Sequence, residues 1–474
     1  MEMYTDLRGL AFAATCQRSV EQWDDAVEAY LGARGDTLDR VQKLLAEDPD
    51  CPLGHCLAGY LQMHRSKPEA AALARESLAR VRRNTPHLPL NPREQLHIDS
   101  LHAWIEGDLV GALRRWEAIL LDHPRDILAI RLAQFMTSYL GNSKGIRESI
   151  ERVFPRWDDK VPGYNYLLGC YAYGLEETGE YDRAERMGRS AVERNPQDLW
   201  AAHAVAHVME MQGRPREGVA WLAENERHWR NCNNFVLHLK WHAALFHLSL
   251  ADFDRVLAVY DREVRAESTD EYLDIANAAS VLWRLEQADV NVGTRWEELA
   301  ERASRHLDDH FFVFADLHYM IAAAAGNSSA AERFLQSCSA FAQSGRGTQA
   351  GVMQEIGLPV AQAILANRQG RHAEALEHLL SRRDRIHRIG GSHAQRDTFE
   401  MVLIDSAVRA GKHYEARMLL AERTSRRPHD LWSWRTWASL SEAVGNPEDG
   451  ANARAQLERL SGSTSPHSSA PVSQ

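Results

Sequence analysis

Apolar residues along this chain recur at intervals of three and four, the period of a helix with one buried face. No stretch sustains the apolar–polar alternation between turn dipeptides that marks a strand. Helix is therefore expected almost throughout. Within that pattern a triplet recurs: a glycine, a small residue five positions later and a bulky residue four beyond that. Gly107, Ala112 and Trp116 make one copy, closed by Pro124. Gly326, Ala331 and Leu335 make another, Gly370, Ala375 and Leu379 a third, and Gly411, Ala416 and Leu420, closed by Pro428, a fourth. Glycine ends a helix and turns the chain sharply, the small residue lets a second helix lie close against the first, and proline stops the second helix from continuing.

The spacing of these marks sets the architecture. Gly179 and Gly213 are 34 positions apart, as are Ala184 and Gly218, and Gly411 and Gly445. That is the period of the tetratricopeptide helix-turn-helix unit. The expected fold class is all-α, with such units stacked into a curved superhelix. Each unit buries the face its neighbour leaves uncovered, and a concave inner surface results. Spacings of 44 from Gly326 to Gly370 and 41 from Gly370 to Gly411 require insertions between units. The expected division is a lead-in helix over residues 1–18, the superhelix over 19–460 and a disordered tail over 461–474, where large apolar residues are scarce. Pro86 to Pro92, with three prolines, reads as a connector.

Composition narrows the function. A chain of 474 residues outgrows a single compact core, and repetition answers that need. The net charge of −11 comes from interspersed acids and bases, which argues against a nucleic-acid surface. Six scattered cysteines without a C-x-x-C pair fit a reducing compartment. The acidic start Met1-Glu2-Met3-Tyr4-Thr5-Asp6 lacks the basic and apolar regions of a signal peptide. The most apolar stretch, Tyr319 to Ala325, is far short of the roughly 20 residues that span a bilayer. A cytoplasmic protein with neither nucleic-acid nor membrane partners is expected.

Candidate chemistry concentrates between Asn195 and Leu248. His203 and His207 share a helix face, and Glu210 returns to it. His238 and His242 repeat the spacing 35 residues later, so the two pairs could face each other across adjacent units. Four imidazoles and a carboxylate suit a divalent transition metal as cofactor, although same-face pairs also arise by chance in a chain with 22 histidines. The zinc-protease pattern H-E-x-x-H is absent because Ala204 follows His203. In the preceding unit Tyr173, Glu176 and Glu177 are expected near the concave wall, with one of the two carboxylates pointing outward. Trp200, Trp221, Trp229 and Trp241 read either as an aromatic wall for a ligand or as core between repeats. Asp316 and His318 are two apart, hence on different faces, which disfavours a direct dyad. The segment from Ile389 to Asp397 offers glycines, donors and a guanidinium suited to an anion, while Asp397 with Glu400 also reads as a capping box. Nucleotide-binding, esterase and dinucleotide motifs are absent.

From about Ser19 to Leu460 the chain resembles the tetratricopeptide repeat protein 38 family. The strings that carry the likeness are Gly174 to Thr178, His203 through His207 and Glu210 to Gly213-Arg214, Trp241-His242, Asp316 to Tyr319, Gly390-Gly391-Ser392 and Ala394 to Asp397. The resemblance implies a closed or strongly curved repeat body with a polar interior and brings no settled reaction. It carries over His203, His207, Glu210, His242, Asp316, His318, Gln395, Arg396 and Asp397, with His238 outside its strings. Two readings of function follow, with a protein–protein scaffold as a third. One is a binding protein that takes a peptide or small polar ligand against Tyr173, Glu176, Trp241, Gln395, Arg396 and Asp397. The other is a metal-dependent hydrolase or oxidase, with the four histidines as ligands and Glu177, Glu210, Asp316 and His318 as catalytic candidates.

Overall fold

The computed structural model describes residues 2–84 and 90–462, and these contain twenty-five α-helices and one two-stranded sheet. The expected all-α superhelix of paired helices is what forms. The glycine triplets explain its construction. Gly107, Gly179, Gly213, Gly370, Gly411 and Gly445 all take positive φ, between 65° and 83°, at the turn between two helices of a pair. Ala112, Ala184, Gly218, Ala331, Ala375 and Ala416 are all buried. Gly218 shows why size matters there: an added Cβ would lie 2.3 Å from the ring of Phe246, which belongs to the next unit. Gly326 departs from the pattern. It ends the helix Val313–Gly326 without positive φ, and the side chain of Asn327 caps the next helix instead.

The expected lead-in helix does not form over residues 2–16. Strands Glu2–Thr5 and Ala11–Ala14 pair antiparallel, and the first helix, Gln17–Leu31, begins only after them. The hairpin wins because Asp6 closes its turn: Oδ1 accepts from the backbone N–H of Arg8 and of Leu10, each at 2.9 Å, and Gly9 takes φ +78°. Its second strand is then anchored on the helix Pro92–Ile105. Ala13 N–H donates to Glu94 at 2.8 Å, Arg93 donates to Ala11 O at 2.7 Å, and Phe12 is fully buried. Of the expected connector, Pro92 opens this helix behind the capping box of Asn91 and Glu94, while 85–89 lie outside the described residues. The expected tail likewise lies outside them from 463 onward.

The superhelix winds tightly enough for distant units to touch. Gly35 N–H donates to Asn231 O at 2.9 Å, Asn233 N–H to Ala33 O at 2.8 Å, and Thr348 N–H to Gly107 O at 2.9 Å. At Gly141, φ is +67° and a Cβ would stand 1.7 Å from the carbonyl oxygen of His387. Gly141→Ala should therefore cost more than the about 1–2 kcal/mol of a left-handed alanine alone, because that backbone must also retreat. Urea unfolding of the variant measures this. The first helices of successive units, Tyr164–Glu176, Leu199–Met211, Phe235–Ser249 and Tyr272–Gln287, pack side by side, and His393–Arg409 from the far end of the chain closes over them. No helix among the described residues is long and apolar enough to cross a membrane.

Candidate metal centre

Where these five helices meet, the polar stripes of their inner faces have no solvent to turn to. The helix Leu199–Met211, started by Asp198 accepting from Ala201 N–H at 3.0 Å, carries His203 and His207 one turn apart. The helix Phe235–Ser249 carries His238 and His242 in the same register. The two pairs converge as their spacing implied. One ring nitrogen from each of the four lies within 4.8 Å of the others, and ring centroids are 4.4 Å apart for His203 and His207, 4.6 Å for His207 and His242, and 4.9 Å for His203 and His238. None is more than 3% exposed. The histidines thus sit inside the body and not on an open concave wall, and a peptide lying on that wall would not touch them.

The outward nitrogens are held by the neighbouring residues. His242 Nδ1 donates to Glu210 at 3.0 Å, His238 Nδ1 donates to Asn277 Oδ1 at 3.0 Å, and His207 Nδ1 faces Glu176 at 3.4 Å. For His242 and His238 a carboxylate or amide oxygen accepts, which places the proton on Nδ1 and a lone pair on Nε2. His203 Nε2 lies 2.9 Å from His207 Nε2 and 3.1 Å from His238 Nε2. A single proton on His203 can satisfy only one of those two lone pairs. His242 Nε2 is buried with no partner among the described residues. Buried lone pairs aimed at one another are costly unless something positive lies between them.

The electrostatics favour neutral imidazoles. Burial, reinforced by the neighbouring rings, holds His203, His238 and His242 well below the ordinary histidine value. His207 is the exception: burial opposes its charge, but Glu176 outweighs burial and raises it. Burial in turn pushes the Glu176 carboxyl up, and neither of its oxygens has a hydrogen-bond partner among the described residues. Aromatic rings wall the cluster. Trp241 stacks on His238 at 4.9 Å and 14° and donates to Ser280 Oγ at 3.0 Å, while Tyr173 stacks on His203 at 5.9 Å and 28°. Trp200 joins them at 5.1 Å from His203, whereas Trp221 and Trp229 pack away from it among the repeats.

The remaining candidates are placed differently from what their spacing suggested. Both carboxylates of the Glu176–Glu177 pair point inward, because the superhelix closes over the side expected to face water. Glu177 accepts from His393 N–H at 3.0 Å and Ser143 Oγ at 2.9 Å, with Arg396 Nη2 3.6 Å away. These contacts tie it to the helix His393–Arg409 at the far end of the chain. Gln395 caps: Ser392 and Gln395 form the capping box of His393–Arg409, so Asp397 lies inside the helix and is not its cap. Asp397 instead receives two hydrogen bonds from Arg423, at 2.5 and 3.1 Å. His318 donates to Phe314 O at 2.8 Å, apart from the cluster, and burial pushes it down to about 4.

Asp316 pairs with His310, whose Nδ1 donates to it at 3.2 Å, while His310 Nε2 lies 2.9 Å from Ser337 Oγ. Burial works against the His310 imidazolium, yet the hydrogen bond and charge of Asp316 outweigh it, so the folded value is raised. The pair's stabilisation is then complete below about 6.5, the unfolded value, and fades as pH rises through the higher folded value. His310→Gln should lower the urea midpoint more at pH 6 than at pH 9.

Sequence reasoning missed Asn277, Ser280 and Arg284, which share one face of the helix Tyr272–Gln287 and back the cluster from behind. Their signal is three polar residues at spacings of three and four between Ile275 and Leu285, where every other residue is apolar.

The sequence matches no family model. Among solved structures, the chain is similar to one from the Naa15/Naa10 assembly bound to HypK-THB, with 14% identity over 93% of this chain and 68% of that one, at a TM-score of 0.24. It is also similar to the TPR domain of P58(IPK), with 13% identity over 78% of this chain and 93% of that one, at a TM-score of 0.22. Superpositions this loose carry no weight for function, and the repeat architecture stands on the helices and glycine turns described above.

Proposed function

We propose that this chain is a tetratricopeptide-type repeat protein, akin to the tetratricopeptide repeat protein 38 family, that holds one divalent transition-metal ion on His203, His207, His238 and His242. The observation that carries the reading is the convergence of four buried imidazoles, three of which have Nδ1 turned to Glu210, Asn277 or Glu176 and Nε2 turned inward. Outer partners of that kind fix the ring and raise its basicity as a ligand. Tetrahedral zinc with bonds of about 2.0–2.1 Å needs nitrogen–nitrogen edges of roughly 3.3 Å, close to the 2.9 and 3.1 Å between His203 and its neighbours. Neutral nitrogen donors without thiolate suit zinc, copper, nickel, cobalt or iron. Glu210 and Glu176 then serve as outer-layer carboxylates that offset the ion's charge, in place of the base role first expected of Glu210.

A catalytic version of the same centre draws support from His203, whose Nδ1 has no partner among the described residues. It has no outer carboxylate or amide beside it and is the ligand that would yield a coordination position to a substrate. The first test is elemental analysis of protein purified without an affinity tag from cells grown with each candidate metal. About one ion per chain is expected, removed by a strong chelator and restored by dialysis. Protein that carries less than about a tenth of an equivalent under every condition, and takes up none on reconstitution, rules the reading out.

A further inference from the structure

Beside the histidine cluster lies a cavity of about 680 Å³, within the range of small-molecule sites. Glu210 forms part of its wall, so the partner of His242 is also a cavity residue. The other charged groups inside are largely committed to one another. Arg423 donates to Asp397 at 2.5 and 3.1 Å and to Asp430 at 3.0 Å. Arg284 donates to Thr398 Oγ1 at 2.7 Å and Ala394 O at 2.9 Å, and Arg409 to Asp405 at 2.6 Å.

Arg427 is held more loosely than these three. Its side chain is only 18% exposed, yet its nearest carboxylate oxygens stand 3.6 Å away on Asp397 and 3.9 Å away on Glu210, beyond hydrogen-bond reach. Among the described residues its guanidinium makes one hydrogen bond, to the sulfur of Met211 at 3.4 Å. Both neighbouring carboxylates are already taken, Asp397 by Arg423 and Glu210 by His242. A largely buried guanidinium with five donors, two ion pairs longer than a hydrogen bond and one thioether contact has no planar, two-oxygen acceptor in bonding range. The same cavity is also lined by the apolar groups of Leu248, Phe253, Met401 and Trp432.

We infer that this cavity binds a small organic monoanion, a carboxylate on an apolar body, with Arg427 gripping the carboxylate and Phe253, Met401 and Trp432 covering the body. Carboxylate is favoured over a phosphate dianion because Glu210 and Asp397 line the same space and repel a second negative charge. The inference goes beyond the metal reading and shares only Glu210 with it.

Isothermal titration with octanoate, octyl phosphate and 1-octanol tests it, on protein as purified and on protein stripped by chelator. Octanoate should bind in both forms, and octyl phosphate and octanol at least about tenfold more weakly. Binding to the stripped protein supports the cavity whether or not the histidines hold an ion, so the two proposals fail separately. Arg427→Gln should lose at least about tenfold in octanoate affinity, with Arg427→Lys between it and wild type. Met401→Trp, which fills the cavity and leaves the guanidinium in place, should abolish binding even should the arginine variants fail to fold. Octanol that binds as tightly as octanoate, or octanoate binding unchanged in Met401→Trp, overturns the inference.

Discussion

His242→Ala is expected to empty the metal centre, taking the bound ion from about one per chain to below a tenth. The ring that leaves is the one whose inner nitrogen has no partner and whose outer nitrogen is held by Glu210. Glu210→Gln should act more mildly. It keeps the shape and an acceptor for Nδ1–H but removes the charge, and outer-partner changes of that kind weaken metal binding about 10–100-fold. Stability follows occupancy: an ion present at a hundred times its dissociation constant adds about 2.7 kcal/mol. Chelator should therefore lower the wild-type unfolding midpoint and leave His242→Ala unmoved. Equal chelator shifts in the two proteins would mean that the ion is bound elsewhere.

The largest loss of stability should come from Arg423→Ala. This arginine is 2% exposed and ties Asp397, Glu400, Asp430 and Ser433 together, joining three successive helices at the end of the chain that closes over the centre. Removing one partner of a buried ion pair costs about 3–5 kcal/mol because the other charge is left stranded. Asp397 is held far below the ordinary carboxylate range, since Arg423, with Arg427 and Arg284, outweighs the burial that opposes it. Without Arg423 that balance is lost, and the buried carboxylate is left short of its main partner. Arg423→Lys should rescue little, because the pair of bonds to Asp397 needs the planar fork. Urea denaturation followed by circular dichroism decides this, and a loss under about 1 kcal/mol would show that the network holds nothing together.

The repeat body was legible because each of its turns requires a residue type that nothing else replaces. A glycine at positive φ and a small residue under the neighbouring helix recur at a countable spacing, as at Gly179 and Ala184 and again at Gly213 and Gly218. The terminal hairpin was not legible. Its strands are four residues each, too short for a period to emerge, and their stability comes from Arg93 and Glu94, some eighty residues away.

The histidine pairs were legible for the same reason as the fold, since equal offsets in consecutive units place side chains opposite one another. What escaped is what depends on closure of the superhelix. Glu177 meets His393 across 216 positions, and His310 reaches Asp316 only because the chain at His310 takes φ +48° and folds back onto the helix. Helical periodicity assigns a residue to a face of its own helix, but it does not say which distant segment will cover that face. Hence the outward position expected for one of Glu176 and Glu177 was the natural reading of an open solenoid and fails in a closed one.

X-ray absorption at the metal edge of the reconstituted protein tests the central claim most directly. The account predicts four nitrogen scatterers at about 2.0–2.1 Å, with the outer-shell pattern of imidazole and no sulfur. A first shell of oxygen alone, or one that contains sulfur, would contradict it.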